Sequence, residues 1–426
     1  MTQPDHLSEL RFDQLPLHST LLSGLTRLGF THCTPIQAQC LPKALRGEDL
    51  AGQAQTGTGK SAAFLLATMN HLLQQPRKEG GDPGSPRAIM LAPTRELAIQ
   101  ILKDAEGIGA DTGLRLAVCY GGAGYEQQRE QLETGVDILI GTPGRLIDFL
   151  KQGTYHLKDI EVLVLDEADR MFDLGFIDDI RYLLRRMPKA ALRKNYLFSA
   201  TLSHRVLELA YEHMNSPQKV EIEPEQVTAD RVRQSLIHVA NDEKLPLLVG
   251  WLRHHEPFRT IVFVNTKRAA EDVERTLVAN GFTAAMLSGD VAQTKRLRLL
   301  ENFKQGELPI LVATDVAARG LHIPSVSHVI NYDLPQDAAD YVHRIGRTAR
   351  AGEAGDAVSL CCETWVYGLP AIETYIGSRL PVEPLNESWL PQDFVRPPRP
   401  PRRPGSGNGR RGGGGGGGRP GGRRRR

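Results

Sequence analysis

The feature that most constrains this chain is an alternation: short β-branched runs end in turn residues and are followed, repeatedly, by helix-like stretches. The runs lie at 88–94, 136–142, 162–167 and 196–201, then at 260–266, 284–289, 310–315, 326–332 and 357–361. Strands that are apolar on both faces and separated by helices belong in parallel sheets covered on both sides. Two such series predict an α/β chain of two domains. The 426 residues suit two cores of about 100–200 residues each better than one.

Composition marks the borders. Residues 215–229, with Pro217 and Pro224 among charged side chains, read as an extended linker. The expected division is an N-terminal segment at 1–40 packed on the first domain, the first domain at 41–220, the linker proper at 221–232 and the second domain at 233–390. From 391 the chain turns to Pro/Arg and then Gly/Arg, with seven consecutive glycines at 412–418. Such a stretch cannot bury a core, so disorder is expected there. The net charge of +2 hides a division: residues 396–426 hold 11 arginines and no acid, leaving 41 basic against 50 acidic residues, a net of −9, in 1–395. An acidic body with a basic arm points to a polyanionic partner, or to a tail that only solubilises. No apolar run approaches the roughly 18 residues of a membrane span. The N-terminus lacks the basic-then-apolar order of a signal peptide. Five scattered cysteines have no metal-ligand spacing. The expectations are a cytoplasmic protein with no membrane insertion, no disulfide and no zinc.

The chemistry begins at Ala54-Gln55-Thr56-Gly57-Thr58-Gly59-Lys60-Ser61, between a short apolar run and an Ala/Leu-rich helix. Glycines let backbone N–H groups turn inward around phosphate oxygens, and a helix N-terminus adds favourable dipole charge. Lys60 can then reach the β- and γ-phosphates and the Ser61 hydroxyl can ligate Mg²⁺. Ala54 stands where such loops usually place a first glycine. A Gly-rich surface turn is the blander alternative, but Asp166-Glu167-Ala168-Asp169 follows the run Val162-Leu163-Val164-Leu165. A buried strand ending in carboxylates suits the other half of an ATPase site. Asp166 would belong to the Mg²⁺ shell and Glu167 would orient and deprotonate the attacking water. With no Asn-Lys-x-Asp guanine signature, adenine is the expected base, and ATP and Mg²⁺ the expected ligands.

Together these segments resemble the DEAD-box RNA helicases, from Phe12 to about residue 375, in an order and number that isolated strand ends and helix caps do not explain. The resemblance implies two RecA-like domains and RNA-dependent ATPase activity that separates short RNA duplexes. Phe12 and Thr34-Pro35-Ile36-Gln37 are similar to the family's adenine-reading motif, with Gln37 on the adenine edge. Pro93-Thr94-Arg95-Glu96-Leu97-Ala98, Gly121-Gly122 and Thr142-Pro143-Gly144-Arg145 resemble its RNA-backbone contacts. In the second domain, Val264-Asn265-Thr266, Gln293-Thr294-Lys295-Arg296 and Ala313-Thr314-Asp315 do the same, with Thr266, Arg296 and Thr314 implied on RNA and Asp315 on nucleotide. Ser199-Ala200-Thr201, with Asp169 and His343, resembles the coupling between hydrolysis and strand separation. In His343-Arg344-Ile345-Gly346-Arg347-Thr348-Ala349-Arg350, the resemblance makes Arg347 and Arg350 arginine fingers, whose guanidinium groups offset charge on the γ-phosphate.

Two positions depart from the family pattern. His322 stands where an acid is usual and Ala349 where a glycine is usual. Ala-Arg-Gly-Leu-His-Ile-Pro at 318–324 is nevertheless similar to one bacterial branch of the family. So are Asp169-Arg170-Met171-Phe172-Asp173-Leu174-Gly175-Phe176 and Leu369-Pro370-Ala371-Ile372-Glu373-Thr374-Tyr375-Ile376-Gly377. That branch implies work in RNA degradation beside the endoribonuclease RNase E in a degradosome.

Overall fold

The computed structural model describes residues 7–54, 58–77, 82, 85–122, 124–222, 232–287, 291, 293–318, 326–349 and 355–398; for Gln293, Thr294 and Val316 it describes the backbone alone. Two all-parallel sheets organise it. The first holds β1 (Leu50–Gln53), β2 (Ala88–Leu91), β3 (Leu116–Cys119), β4 (Ile138–Gly141), β5 (Val162–Leu165), β6 (Lys194–Ser199) and β7 (Gln218–Glu221), in the order β3-β4-β2-β5-β6-β1-β7. The second holds β8 (Val232–His238), β9 (Thr260–Val264), β10 (Ala284–Leu287), β11 (Ile310–Thr314), β12 (His328–Asn331) and β13 (Gly355–Cys361), in the order β10-β11-β9-β12-β13-β8. Central strands such as β2, β4 and β5 are buried at every position. Helices therefore cover both faces, with one apolar cluster on each face of each sheet. Among the described residues no helix is long and apolar enough to cross a membrane.

Three details correct the sequence reading. Residues 215–229 are not all linker: Gln218–Glu221 pairs in parallel with β1 and completes the first sheet. Only Val220 of its four residues is buried, which is how an edge strand comes to look like solvated chain. Residues 223–231, most of the expected linker, lie outside the described residues. The second sheet opens with β8, whose mixed polar and apolar pattern gives little strand signal. The third correction is at the tail border. Residues 391–395 are held on the second domain: Arg253 Nη1 meets Asp393 Oδ1 at 2.7 Å, and Asn280 Nδ2 donates to Val395 O at 2.8 Å while its Oδ1 accepts from Val395 N at 3.0 Å. The expected disorder of the Gly/Arg-rich remainder falls on residues outside those described.

Candidate active site and nucleic-acid interface

Much of the described candidate chemistry sits at the carboxyl ends of the strands, where parallel α/β sheets open the crevices that take ligands. In the first domain, β1 leads into the phosphate loop and Ala54 N donates to Ser199 O at 3.0 Å. Gly59 has φ 93° and caps the helix Lys60–Gln74, a conformation that glycine enters without steric cost. Gln37 is buried and bridges this loop to the N-terminal segment. Its Oε1 accepts from Thr34 N at 2.8 Å and its Nε2 donates to Gly59 O at 3.0 Å. Phe12 is buried in the core beneath, and Thr58 and Ser61 flank Gly59 and Lys60. Gln55, Thr56 and Gly57 lie outside the described residues.

The charges in this pocket are incomplete in a telling way. Lys60 is buried and its Nζ has no hydrogen-bond partner among the described residues. Asp166, just beyond β5, is 2% exposed. Burial lifts its carboxyl to about 6 against the pull of Lys60, with Glu167 and Asp169 adding to the rise. A buried ammonium that makes no hydrogen bond among the described residues, close to a buried carboxylate raised by desolvation, suits a site for a phosphate with its divalent metal. Glu167 is the N-cap of the helix Ala168–Asp173 at φ 51°, a left-handed conformation costly for a residue with Cβ.

Asp169 ties this site to the Ser199-Ala200-Thr201 segment at the end of β6. Ser199 Oγ accepts from Asp169 N at 3.1 Å, and Asp169 Oδ2 accepts from Thr201 N at 3.2 Å and Thr201 Oγ1 at 3.3 Å. From the second domain, His343 and Arg347 face the same space. A cavity of about 340 Å³ is lined by Lys60, Glu167, Asp169 and Thr201 on one side and by Asp340, His343 and Arg347 on the other. Arg170, Arg205 and Asp337 also line it; no motif spacing singled out Arg205 or Asp337. Arg350, the other expected finger, lies outside the described residues, as does His322.

Asp315, expected on nucleotide, is engaged by Arg344. Both its carboxylate oxygens accept from Arg344, Oδ1 from Nε and Oδ2 from Nη2, each at 2.6 Å. It thereby anchors the helix Ala338–Ile345 to the end of β11. A second cavity of about 570 Å³ lies at the amino ends of β2, β5 and β6, among His71, Arg87, Glu161 and Lys194. Two of its cations are engaged: Arg87 with Glu161, Leu72 O and Gln75 O, and Lys194 with Gly47 O.

A row of the expected RNA contacts follows the same strand ends. Thr94, after Pro93, caps the helix Arg95–Gly109. The Arg95 guanidinium lies over Gly121 and Gly122, so that a Cβ at Gly122 would collide with Arg95 Nη1. Thr142 begins the helix Pro143–Lys151. Gly144 has open space at its Cβ position. Arg145 is packed, with Cζ 4.9 Å from the Tyr125 ring centroid and 5.4 Å from that of Phe149. In the second domain Thr266 caps the helix Lys267–Ala279 and Thr314 ends β11. Arg296 reaches across: its Nε pairs with Glu96 Oε1 of the first domain at 2.6 Å, and its Nη2 donates to Ala317 O at 2.7 Å.

Comparison with known proteins gives this geometry its class. The family model described as DEAD/DEAH box helicase matches residues 34–209 and that of the helicase conserved C-terminal domain matches 243–352. The S. cerevisiae Dbp5 structure bound to RNA and ADP BeF3 superposes with a TM-score of 0.78 at 32% identity, over 88% of this chain and 96% of that one. The chain belongs to the DEAD-box ATP-dependent RNA helicases, with two RecA-like domains. Within the family it lies in the RhlB branch. It is 58% identical over 408 residues to the ATP-dependent RNA helicase RhlB of Idiomarina loihiensis, covering 95% of this chain and 96% of the relative. To the Klebsiella pneumoniae RhlB it is 56% identical over 403 residues, covering 94% and 96%.

Proposed function

We propose that the chain hydrolyses ATP between its two domains and uses the closure that hydrolysis requires to grip and separate short RNA duplexes. The observation that carries this reading is the shared cavity, which puts Lys60 and Glu167 of one domain opposite His343 and Arg347 of the other. In this reading Gln37 pairs with the adenine edge, with Phe12 and Thr34 fixing the segment around it. Residues 54–61 wrap the phosphates and Lys60 neutralises the γ-phosphate. Ser61 and Asp166 would hold Mg²⁺, which when bound would offset charge on the phosphates. Glu167 orients the attacking water and accepts its proton. Arg347 and Arg350 complete the charge around the transferred group, so hydrolysis waits for closure.

RNA lies across both domains, on Pro93, Thr94, Arg95, Gly121, Gly122, Thr142, Gly144 and Arg145, and on Thr266, Arg296 and Thr314. These residues suit phosphate and sugar better than bases, a sequence-tolerant grip. Asp169, Ser199, Thr201 and His343 pass the state of the nucleotide to that grip. Each ligand favours the closed form, so each strengthens the other. The Arg-rich tail adds a salt-sensitive tether to RNA. On the strength of the branch we assign the work to cytoplasmic RNA degradation, with RNase E and other degradosome components as partners; failure of RNase E to co-purify with the chain removes that assignment.

The test is RNA-stimulated ATPase and displacement of a short RNA duplex in wild type, Glu167→Gln and Arg347→Ala. Both variants lose stimulated turnover by about 10²-fold or more. Wild-type rates in either remove that residue's role. Hydrolysis without displacement makes the protein an ATP-gated RNA clamp instead. The same assay on a chain ending at 395 shows weaker RNA binding at low salt than at high salt relative to wild type; no change at either salt removes the tether.

A further inference from the structure

Below the cleft edge of the second sheet lies a group of charged side chains that no step above uses. Lys244 opens the helix Lys244–His255 with its side chain 1% exposed, and its Nζ donates to Asp333 Oδ1 at 2.6 Å. The ammonium also lies 4.1 Å from the Tyr332 ring centroid. Asp333, two residues past β12, turns its other oxygen to the backbone N–H of Asn265 at 3.0 Å. Asn265 follows β9; its Nδ2 donates to Leu334 O and its Oδ1 accepts from Arg344 Nη2, both at 2.8 Å. Arg344, equally buried, donates from Nη1 to Asp333 O at 2.5 Å and grips Asp315 as described above.

The network sets two cations against two carboxylates; Lys244, Asp333 and Arg344 are out of water, and only Asp315 is partly exposed. Stability alone does not account for it, since apolar groups of similar volume commonly serve a core as well as a buried ion pair does. What it secures is geometry. It joins the ends of β9, β11 and β12 to the helix Ala338–Ile345. Thr266 follows Asn265, Thr314 precedes Asp315, and Arg347 lies just past the end of the helix that carries Arg344.

We propose that Lys244 and Asp333 are a positioning pair: they hold the Asn265 N–H so that Thr266 faces RNA, and through Asn265 and Arg344 they lock that loop to the helix bearing His343 and leading to Arg347. This rests on the reading of Thr266 as an RNA contact. Lys244 touches neither ligand; it acts through Asp333 and Asn265.

Four full-length variants test it, with single-stranded RNA oligomer as the probe. Lys244→Met strands a buried carboxylate and lowers Tm, whereas Lys244→Met/Asp333→Leu makes the pair apolar and recovers Tm. In both, the RNA concentration at half-maximal ATPase rises about tenfold, since small misplacements of a contact are costly. KM for ATP stays within about twofold, because the first-domain nucleotide contacts at Gln37 and Lys60 are left in place. Asn265→Ala leaves the ion pair intact and produces the same RNA defect. If the double variant regains wild-type RNA half-saturation along with its Tm, or Asn265→Ala never loses it, the pair is merely structural and the proposal falls. Thr266→Ala separates the two failures. Wild-type RNA half-saturation there removes the contact itself, and the proposal with it. A defect there beside a normal double variant removes the positioning pair alone.

Discussion

Ala349 is held at φ 53°, in the left-handed region where a Cβ costs about 1 kcal/mol relative to glycine. This explains why the family usually carries glycine at this position, two residues beyond Arg347. Ala349→Gly should raise stability by about 0.5–1 kcal/mol, seen as a higher Tm, without lowering RNA-stimulated ATPase. An unchanged or lower Tm would mean that the Ala349 methyl makes contacts worth more than the strain. Glu167 bears the same kind of strain at φ 51°, and there it aims a carboxylate into the cleft, where strain is commonly retained for function. At this scale the sequence was most legible where chemistry depends on residue type: a lysine behind glycines, adjacent acids after an apolar strand. It was least legible where a role depends on partners far along the chain. Lys244 finds Asp333 89 residues away and Arg344 finds Asn265 79 residues away. No local spacing marks either pair, nor the bond of Arg344 to Asp315, 29 residues distant.

The helix Lys244–His255 carries a glycine at its centre, Gly250, which intrinsic propensity penalises by about 1 kcal/mol against alanine. Its missing side chain is where the C-terminal segment docks: a Cβ there would collide with the Trp389 carbonyl. Trp389 itself is buried, and residues 381–383 have already covered the edge of β8, with Leu236 N donating to Pro381 O and Glu383 N to Leu236 O, each at 2.8 Å. Covering an edge strand removes unpaired backbone groups that would otherwise invite other chains. Gly250→Ala therefore reverses its helix-propensity sign and destabilises by about 1–3 kcal/mol through overpacking, measured by denaturant unfolding; a more stable variant would show that the segment does not press on the helix. Elements with continuous apolar runs, such as β2, β4 and β5, were readable because they are buried on both faces. The edge strands β7 and β8 and the docked segment after β13 were not, because each buries only alternate or isolated side chains.

Between the domains, the ion pair of Arg296 with Glu96 joins the segment after β2 to a helix of the second domain, with both side chains 10% exposed. Burial draws the guanidinium pKa down and Glu96 draws it back up, with Arg95 close enough to add a repulsion. The pair thus lies beside a cation read as an RNA contact, so closure of the domains and the approach of RNA phosphate share one electrostatic neighbourhood. The chain superposes along most of its length on a relative bound to RNA and a nucleotide analogue, and an ion pair between the domains favours the arrangement in which they meet. Removing either partner leaves the other buried and unpaired, which costs more than the pair contributes. Glu96→Ala and Arg296→Ala should each shift the molecule toward an open form, read as a lower interdomain energy-transfer efficiency in the presence of RNA and a non-hydrolysable ATP analogue. Their double variant should be no worse than the more damaging single one, giving a coupling of about 1–3 kcal/mol. Strictly additive effects would show that the two side chains act independently and that closure is held by the ligands alone.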